Sequence, residues 1–439
     1  MRGVAAKVRK IDMTYVRNTE PPARLANCVA EPEIRPRGYM ASAKVVPSPS
    51  EVLSIVLAGG KGSRLHDLTN EEAKPAIPIG PDFRLIDFTL ANVVNSGLRK
   101  AMVLTQHAPA TLHDHLEQAW HSDRSPCVFK VLDGADHGPF AGTGHAVASV
   151  VEAIDSEAPD HVVVLAGDHL YQMDYRPLIA RHRDRAASVT VGVVHVPVAQ
   201  ASEFGILAAD ATGRITAFIE KPRIAPPAQD RPGHALASMG IYVFDWKALR
   251  TLLVEMAKTI ADLDFGKHIV PRLVKAGEAY AYALPGRAGA EPLWQDLGTL
   301  DAYHAVQMQI AAGSLAFDPE WPAPVSRGGR NDASAAVGTG TLLRNVVVLP
   351  GARIGQWVTI SDAIVTADAI VPDGFDLDAS LAQYAGWCTA SSGGIRLVSA
   401  RALAHLAVLQ RRSAPVRELP PTRTALQAPA PQNSPVPAI

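Results

Sequence analysis

A short apolar run with no polar face, cut off by glycines, restricts this chain more than any other feature. Residues 54–58 (SIVLA) show no alternation, the pattern of a strand buried on both faces of a parallel sheet. Gly59, Gly60 and Gly62 follow at once and let the backbone turn sharply, bringing its N–H groups close to a ligand. Lys61 and Arg64 add positive charge to that turn, and Lys74 follows in EEAKPAIPIG. A strand, a glycine turn and basic side chains form a cradle suited to phosphate. Two familiar cradles are excluded. Lys61 is followed by Gly62 where a Walker loop needs Ser or Thr, and Leu65 stands where the dinucleotide fingerprint needs a third glycine.

From residue 52 to about 284, strand-like and helix-like runs alternate. Helices are expected over 86–94 and 109–120, and strands over 101–104, 162–165, 189–194, 215–220 and 238–244. This predicts a mainly parallel, three-layer α/β sheet with its ligand beyond the carboxyl ends of the strands. Asp168 follows one strand end just as the glycine loop follows another.

The flanks differ in composition. Residues 1–50 mix Pro, Arg and Glu without periodicity, which predicts a disordered extension with Met40 as an alternative start. Residues 322–337 form a polar, Gly- and Ala-rich linker. Over 346–374 apolar residues recur about every six positions with Gly and Pro between, the pattern of a short left-handed β-helix over 338–390. Residues 391–439 complete the chain with a C-terminal segment and a Pro- and Ala-rich tail. Lys plus Arg (42) nearly balances Asp plus Glu (43), which gives no support to a nucleic-acid or membrane-surface role. Three cysteines at unrelated positions, Cys28, Cys127 and Cys388, fit neither a disulfide framework nor a zinc site and suggest a reduced, cytoplasmic setting.

The ordered set LAGGKGSRL, KPAIPIG, FRLIDF, LTQH, LAGDHLY, FGIL, FIEKP, SMGIYVF, DFGK and WQDLGT resembles the sugar-nucleotide pyrophosphorylases. Within them it is similar to the glucose-1-phosphate adenylyltransferases, over roughly residues 53–321. The resemblance implies a Rossmann-like nucleotidyltransferase domain over 51–321, followed by the β-helix. It implies a reaction that joins ATP to glucose 1-phosphate, giving ADP-glucose and pyrophosphate for α-glucan synthesis, with Mg2+ as cofactor and a homotetramer as the assembly.

The implied roles fall on named positions. Arg64 and Lys74 correspond to the basic pair on the triphosphate. Asp168 and Asp296 correspond to the metal carboxylates, hard oxygen donors that suit Mg2+. Leu57, Ala58, Gly59, Gly60, Gln106, Gly142 and Thr143 correspond to the nucleotide site. Phe140, Gly205, Glu220, Lys221 and Ser238 correspond to the sugar-phosphate site, with Lys221 on the phosphate and Glu220 on the sugar hydroxyls. His169 is read as structural.

The chain departs from the pattern in places. Phe140-Ala-Gly-Thr-Gly-His-Ala146 replaces Tyr-Arg-Gly-Thr-Ala-Asp-Ala, Gln295 stands where bacterial relatives often have Arg, and His268 follows DFGK where Asp is usual. A different nucleotide or sugar therefore remains an alternative, as does a non-catalytic regulatory subunit, although the retained Arg64 and Lys74 argue against the latter. In enteric-type relatives the segment before KPA is basic and binds effector phosphates. Here it carries Glu71 and Glu72, Ser156 replaces a further effector arginine, and Arg84 is kept. Two reversed charges repel a phosphate, so fructose 1,6-bisphosphate and AMP at millimolar concentration should change initial rates by less than about threefold. Larger activation by the bisphosphate, or AMP inhibition not competitive with ATP, would contradict this.

Overall fold

The computed structural model describes residues 9–11, 15–16, 51–120, 125–286, 291–315, 317, 321 and 335–413. Its main sheet has nine strands. These are β1 (Val52–Ala58), β2 (Lys100–Thr105), β3 (Val128–Asp133), β4 (His161–Ala166), β5 (Val189–Pro197), β6 (Gly205–Ala209), β7 (Ile215–Glu220), β8 (His234–Asp245) and β9 (Ala279–Ala283). The first four run parallel in the order β3-β2-β1-β4, so the glycine loop leaves from the middle of a parallel half-sheet. Beyond β4 the sheet is mixed. The long β8 runs antiparallel to β4, β5 and β6, while β5 pairs parallel with β9. The expectation of a mainly parallel sheet therefore holds around the loop and is too simple beyond it. An antiparallel hairpin between β6 and β7 adds to this, its turn held by Asp210 Oδ1 accepting from the backbone N–H groups of Thr212 and Arg214.

Alternation within β1 divides the core. Val52, Val56 and Ala58 face a cluster that includes Ile86, Leu90 and Leu116, from the helices Leu85–Asn95 and Ala110–Trp120. Leu53 and Ile55 face the opposite cluster, with Val147, Ile154 and Leu249. Helices thus cover both faces, giving the three layers expected of a strand with no polar side. No helix among the described residues is long and apolar enough to cross a membrane.

The C-terminal unit is built from two parallel ladders. One joins β10 (Ala335–Val337), β12 (Arg353–Ile354) and β14 (Ile370–Val371); the other joins β11 (Leu342–Val348), β13 (Thr359–Val365) and β15 (Arg396–Val398). The β10–β12, β12–β14 and β11–β13 steps are each offset by 17 residues, with Asn345 Nδ2 donating to Asp362 Oδ1 at 2.7 Å across one of them, whereas the last step, β13 to β15, spans 33. The helix Ala400–Ser413 follows. The backbones of Arg9–Ile11 and Tyr15–Val16 pair antiparallel with β10 and β11. The rest of the expected N-terminal extension, most of the linker and the tail lie outside the described residues.

The two units share one apolar seam. Leu65, Leu68, Leu297 and Leu300 of the N-terminal unit cluster with Val347, Ile364 and Leu397 of the ladders. Leu65 is fully buried there, which accounts for a large side chain where a dinucleotide fold has glycine. Polar ties flank the seam. Asp67 accepts from Ser399 Oγ at 2.6 Å, and Asp301 accepts from Ser391 Oγ, from Ser392 Oγ at 3.3 Å and from Gly393 N at 3.1 Å. Leu397→Ala, a buried truncation in the C-terminal unit, should cost about 2–5 kcal/mol and destabilise the N-terminal unit with it. Denaturation followed by fluorescence and far-ultraviolet circular dichroism checks this. The prediction is one shifted, coincident transition; two transitions, that of the N-terminal unit unshifted, would oppose it.

Candidate active site

The carboxyl ends of β1, β2 and β4 open on a cleft of ≈ 750 Å3. Leu57, Gly59, Gly60, Gln106, Phe140, Gly142, Thr143, Asp168, Glu220 and Lys221 all line it, so ten of the sequence-predicted site residues share one cavity. Gly62 adopts φ 60°, a left-handed turn that glycine makes without strain, and it starts the short 3-10 segment Ser63–Thr69. A side chain on Gly142 would strike the Leu263 carbonyl at 2.4 Å, so only glycine lets that wall close. Ala58, Gly205 and Ser238 lie behind the lining. Ala58 packs in the core, a side chain on Gly205 would meet the Phe218 ring at 2.6 Å, and Ser238 Oγ donates to Tyr242 Oη at 3.3 Å.

Behind Asp168 lies a buried charge cluster. Lys74 Nζ donates to Asp168 Oδ2 at 3.0 Å and to Asp296 Oδ1 at 2.9 Å, and its side chain is only 6% exposed. Asp168 follows β4, whereas Asp296 ends the strand Trp294–Asp296, which pairs antiparallel with His169–Tyr171. Burial lowers the Lys74 pKa, but Asp168 and Asp296 outweigh it and the net shift is upward. Burial likewise pushes the Asp168 carboxyl up, yet Lys74 and His169 overcome this and hold it well below the ordinary carboxylate range. Lys74 is thus buried between carboxylates instead of facing the cleft. Arg64 does not line the cleft either: its Nη1 pairs with Glu203 Oε2 at 2.9 Å and its Nη2 lies 3.6 Å from Asp296 Oδ2. His169 sits 3.8 Å from Asp168 and 3.7 Å from Asp296, with its ring edge-on to Trp294.

On the far wall, Lys221 takes a left-handed φ of 49° and its N–H donates to the Phe204 carbonyl at 3.0 Å. Burial, reinforced by Asp264, raises the Glu220 carboxyl, and Lys221 and Lys267 oppose that shift. Asp264 accepts from Thr143 Oγ1 at 2.8 Å and from the N–H groups of Gly266 and Lys267. Sequence reasoning passed over Asp264 and Tyr242 as cleft residues, although DFGK and SMGIYVF both carry them.

A Nucleotidyl transferase family profile matches residues 53–313. The glucose-1-phosphate adenylyltransferase of Jannaschia sp. (strain CCS1) is 34% identical over 394 residues, covering 78% of this chain and 94% of that protein. That of Thiobacillus denitrificans is 35% identical over 413 residues, covering 84% and 94%. That of Paraburkholderia phytofirmans is 43% identical over 288 residues, covering 62% and 68%. The chain belongs to the glucose-1-phosphate adenylyltransferase family.

The positions where it departs from the adenylyltransferase pattern have local partners. His145 Nδ1 lies 3.4 Å from the Ala141 N–H and 3.5 Å from Ser149 Oγ. His268 Nδ1 accepts from the backbone N–H of Asp264 at 3.0 Å, so the unusual histidine ties down the backbone of a cleft residue. Gln106 spends both ends of its amide on the backbone of Phe140, shaping the wall. Arg84 pairs with Glu72 at 3.2 Å and also donates to the Ala76 carbonyl, so the retained effector-type arginine is already occupied by one of the two glutamates.

Removing the buried ammonium leaves two carboxylates facing one another. Lys74→Met should therefore cost roughly 3 kcal/mol or more of folding stability. In the parent protein the pair contributes fully above about pH 4 and loses its effect as acid protonates Asp168, whose folded pKa is depressed. Denaturation midpoints measured with and without MgCl2 check the substitution. The variant should recover part of its loss with magnesium while the parent changes little; equal midpoints for variant and parent would contradict the cluster.

Proposed function

We propose that this chain transfers the adenylyl group of ATP to glucose 1-phosphate, forming ADP-glucose and pyrophosphate for α-glucan synthesis. The observation that carries this is convergence. The glycine loop after β1, Asp168 after β4 and the Glu220–Lys221 pair at the end of β7 meet in one cleft along the mixed sheet. In the reaction a phosphate oxygen of the sugar attacks the α-phosphorus in line. The bond from that phosphorus to the β-bridging oxygen breaks, and pyrophosphate leaves with the electron pair. The work of the protein is to position the two phosphates and offset their charge.

In this reading the loop at Leu57–Gly60 and the wall at Gly142–Thr143 hold the nucleotide, with Gln106 setting the wall. Arg64 turns to the triphosphate, and Lys74 supplies positive charge from beneath. Lys221 holds the sugar's phosphate, and Glu220 accepts from sugar hydroxyls, with Phe140, Gly205 and Ser238 shaping that end. Among the described residues no group of three His, Cys, Asp or Glu side chains is arranged to hold a metal. Asp168 and Asp296 nevertheless already grip one cation, the Lys74 ammonium, with hard oxygens. That donor set fits Mg2+, which keeps most of its ligands as water and substrate phosphate and would supply charge neutralisation there.

The same reading takes residues 51–321 as the catalytic domain. The parallel steps of 17 residues in both ladders support a short parallel β-helix, whose left hand comes from the resemblance. A homotetramer is proposed on the same ground. The decisive experiment is pyrophosphate release with Mg2+ across ATP, UTP, GTP, CTP and dTTP and several sugar 1-phosphates. ATP with glucose 1-phosphate should lead; UTP or dTTP ahead by about tenfold, a difference of about 1.4 kcal/mol in transition-state binding, would overturn the assignment.

A further inference from the structure

Arg64 is the cation that the reading above assigns to the triphosphate, yet it sits outside the cleft that would hold it. Its guanidinium lies in a slot over Gly298, where a side chain would come within 2.5 Å of Nη2. Two carboxylates hold it there: Glu203 at 2.9 Å on Nη1 and Asp296 at 3.6 Å on Nη2. Asp296 is engaged mainly with Lys74, so Glu203 is the partner free to compete for Arg64. Glu203 ends the turn Val198–Glu203, directly before Phe204, whose carbonyl takes the Lys221 N–H at 3.0 Å. It therefore stands on the sugar-phosphate side of the site and reaches across to the glycine-loop side.

We propose that Glu203 is a resident competitor for Arg64, a positioning residue that the substrate's polyphosphate must outbid before the arginine can enter the cleft. The inference rests on the function proposed above. A polyanion offers Arg64 a bidentate, charge-assisted partner stronger than one carboxylate. Once Arg64 has moved, the Glu203 carboxylate is left facing that same negative charge. Both effects weaken ATP binding, and Arg64 itself is assigned no part in holding glucose 1-phosphate. Both partners are roughly half exposed, at 54% and 44%, so the penalty is modest.

The test is Glu203→Gln in the full-length protein, with Glu203→Asp beside it. The KM for ATP should fall about two- to fivefold in the amide variant, as expected of an exposed ion pair. The KM for glucose 1-phosphate should change less than that for ATP, and the thermal midpoint should fall by no more than about a degree or two, as expected on losing one exposed ion pair. The aspartate variant should lie between parent and amide. Raising ionic strength to about 0.5 M should shrink the gap, which a purely steric role would not do. Calorimetric titration, which needs no turnover, should show the gain for ATP and none for AMP, which lacks the outer phosphates. An unchanged or raised KM for ATP in a folded, active amide variant overturns the inference alone; so does an equal gain for AMP. Failure of the parent protein to bind or turn over ATP would overturn the proposed function as well.

Discussion

A single buried ammonium, Lys74, holds together two pieces of chain far apart in sequence. It joins the end of β4, through Asp168, to a short strand more than a hundred residues later, through Asp296. A lysine at 6% exposure is tolerable only because two carboxylates meet it, and those carboxylates are tolerable side by side only because it lies between them. Each group is costly alone. The arrangement of Asp168, Asp296 and Arg64 at the back of the cleft follows from that mutual need.

The parts of the fold legible in the sequence are those set by local pattern. The SIVLA run is buried on both faces, and every strand and helix expected between 86 and 244 is present with ends moved by a few residues. What the pattern could not reveal is direction. Strand β8 alternates and is apolar like its neighbours, yet it runs against three of them, and pairing direction is a property of partners distant in the chain. The same limit applies to the site. The motifs brought ten expected residues to one cavity, several of them, such as Gly59, Gln106, Asp168 and Lys221, just beyond a strand end. They did not reveal that Lys74 faces carboxylates, that Arg64 pairs with Glu203, or that Gln106 is spent on the Phe140 backbone. Those outcomes depend on which opposite charge or free N–H lies nearest in space.

Departures from the family pattern tell a related story. His268 and His145 replace charged residues, and each finds a neutral partner nearby, so local geometry survives while the charge is lost. Glu72 does the reverse. It keeps a charge and uses it to occupy Arg84. Burial pushes the Glu72 carboxyl up while Arg84 pulls it down, which ties the glutamate's ionisation to that one partner.

The seam under Leu65 and Leu297 bears on how such a chain can change over generations. The segments that carry Arg64 and Asp296 rest on side chains supplied by the ladders, and Asp67 and Asp301 pin them nearby at the rim. The two halves are therefore poor candidates for exchange by recombination. A foreign C-terminal unit would have to bring matching bulk at the positions of Val347, Ile364 and Leu397, together with hydroxyls for the two aspartates. Catalytic and C-terminal halves of this lineage should accordingly be inherited as a pair, and substitutions at Leu65 should be accompanied by compensating ones across the seam.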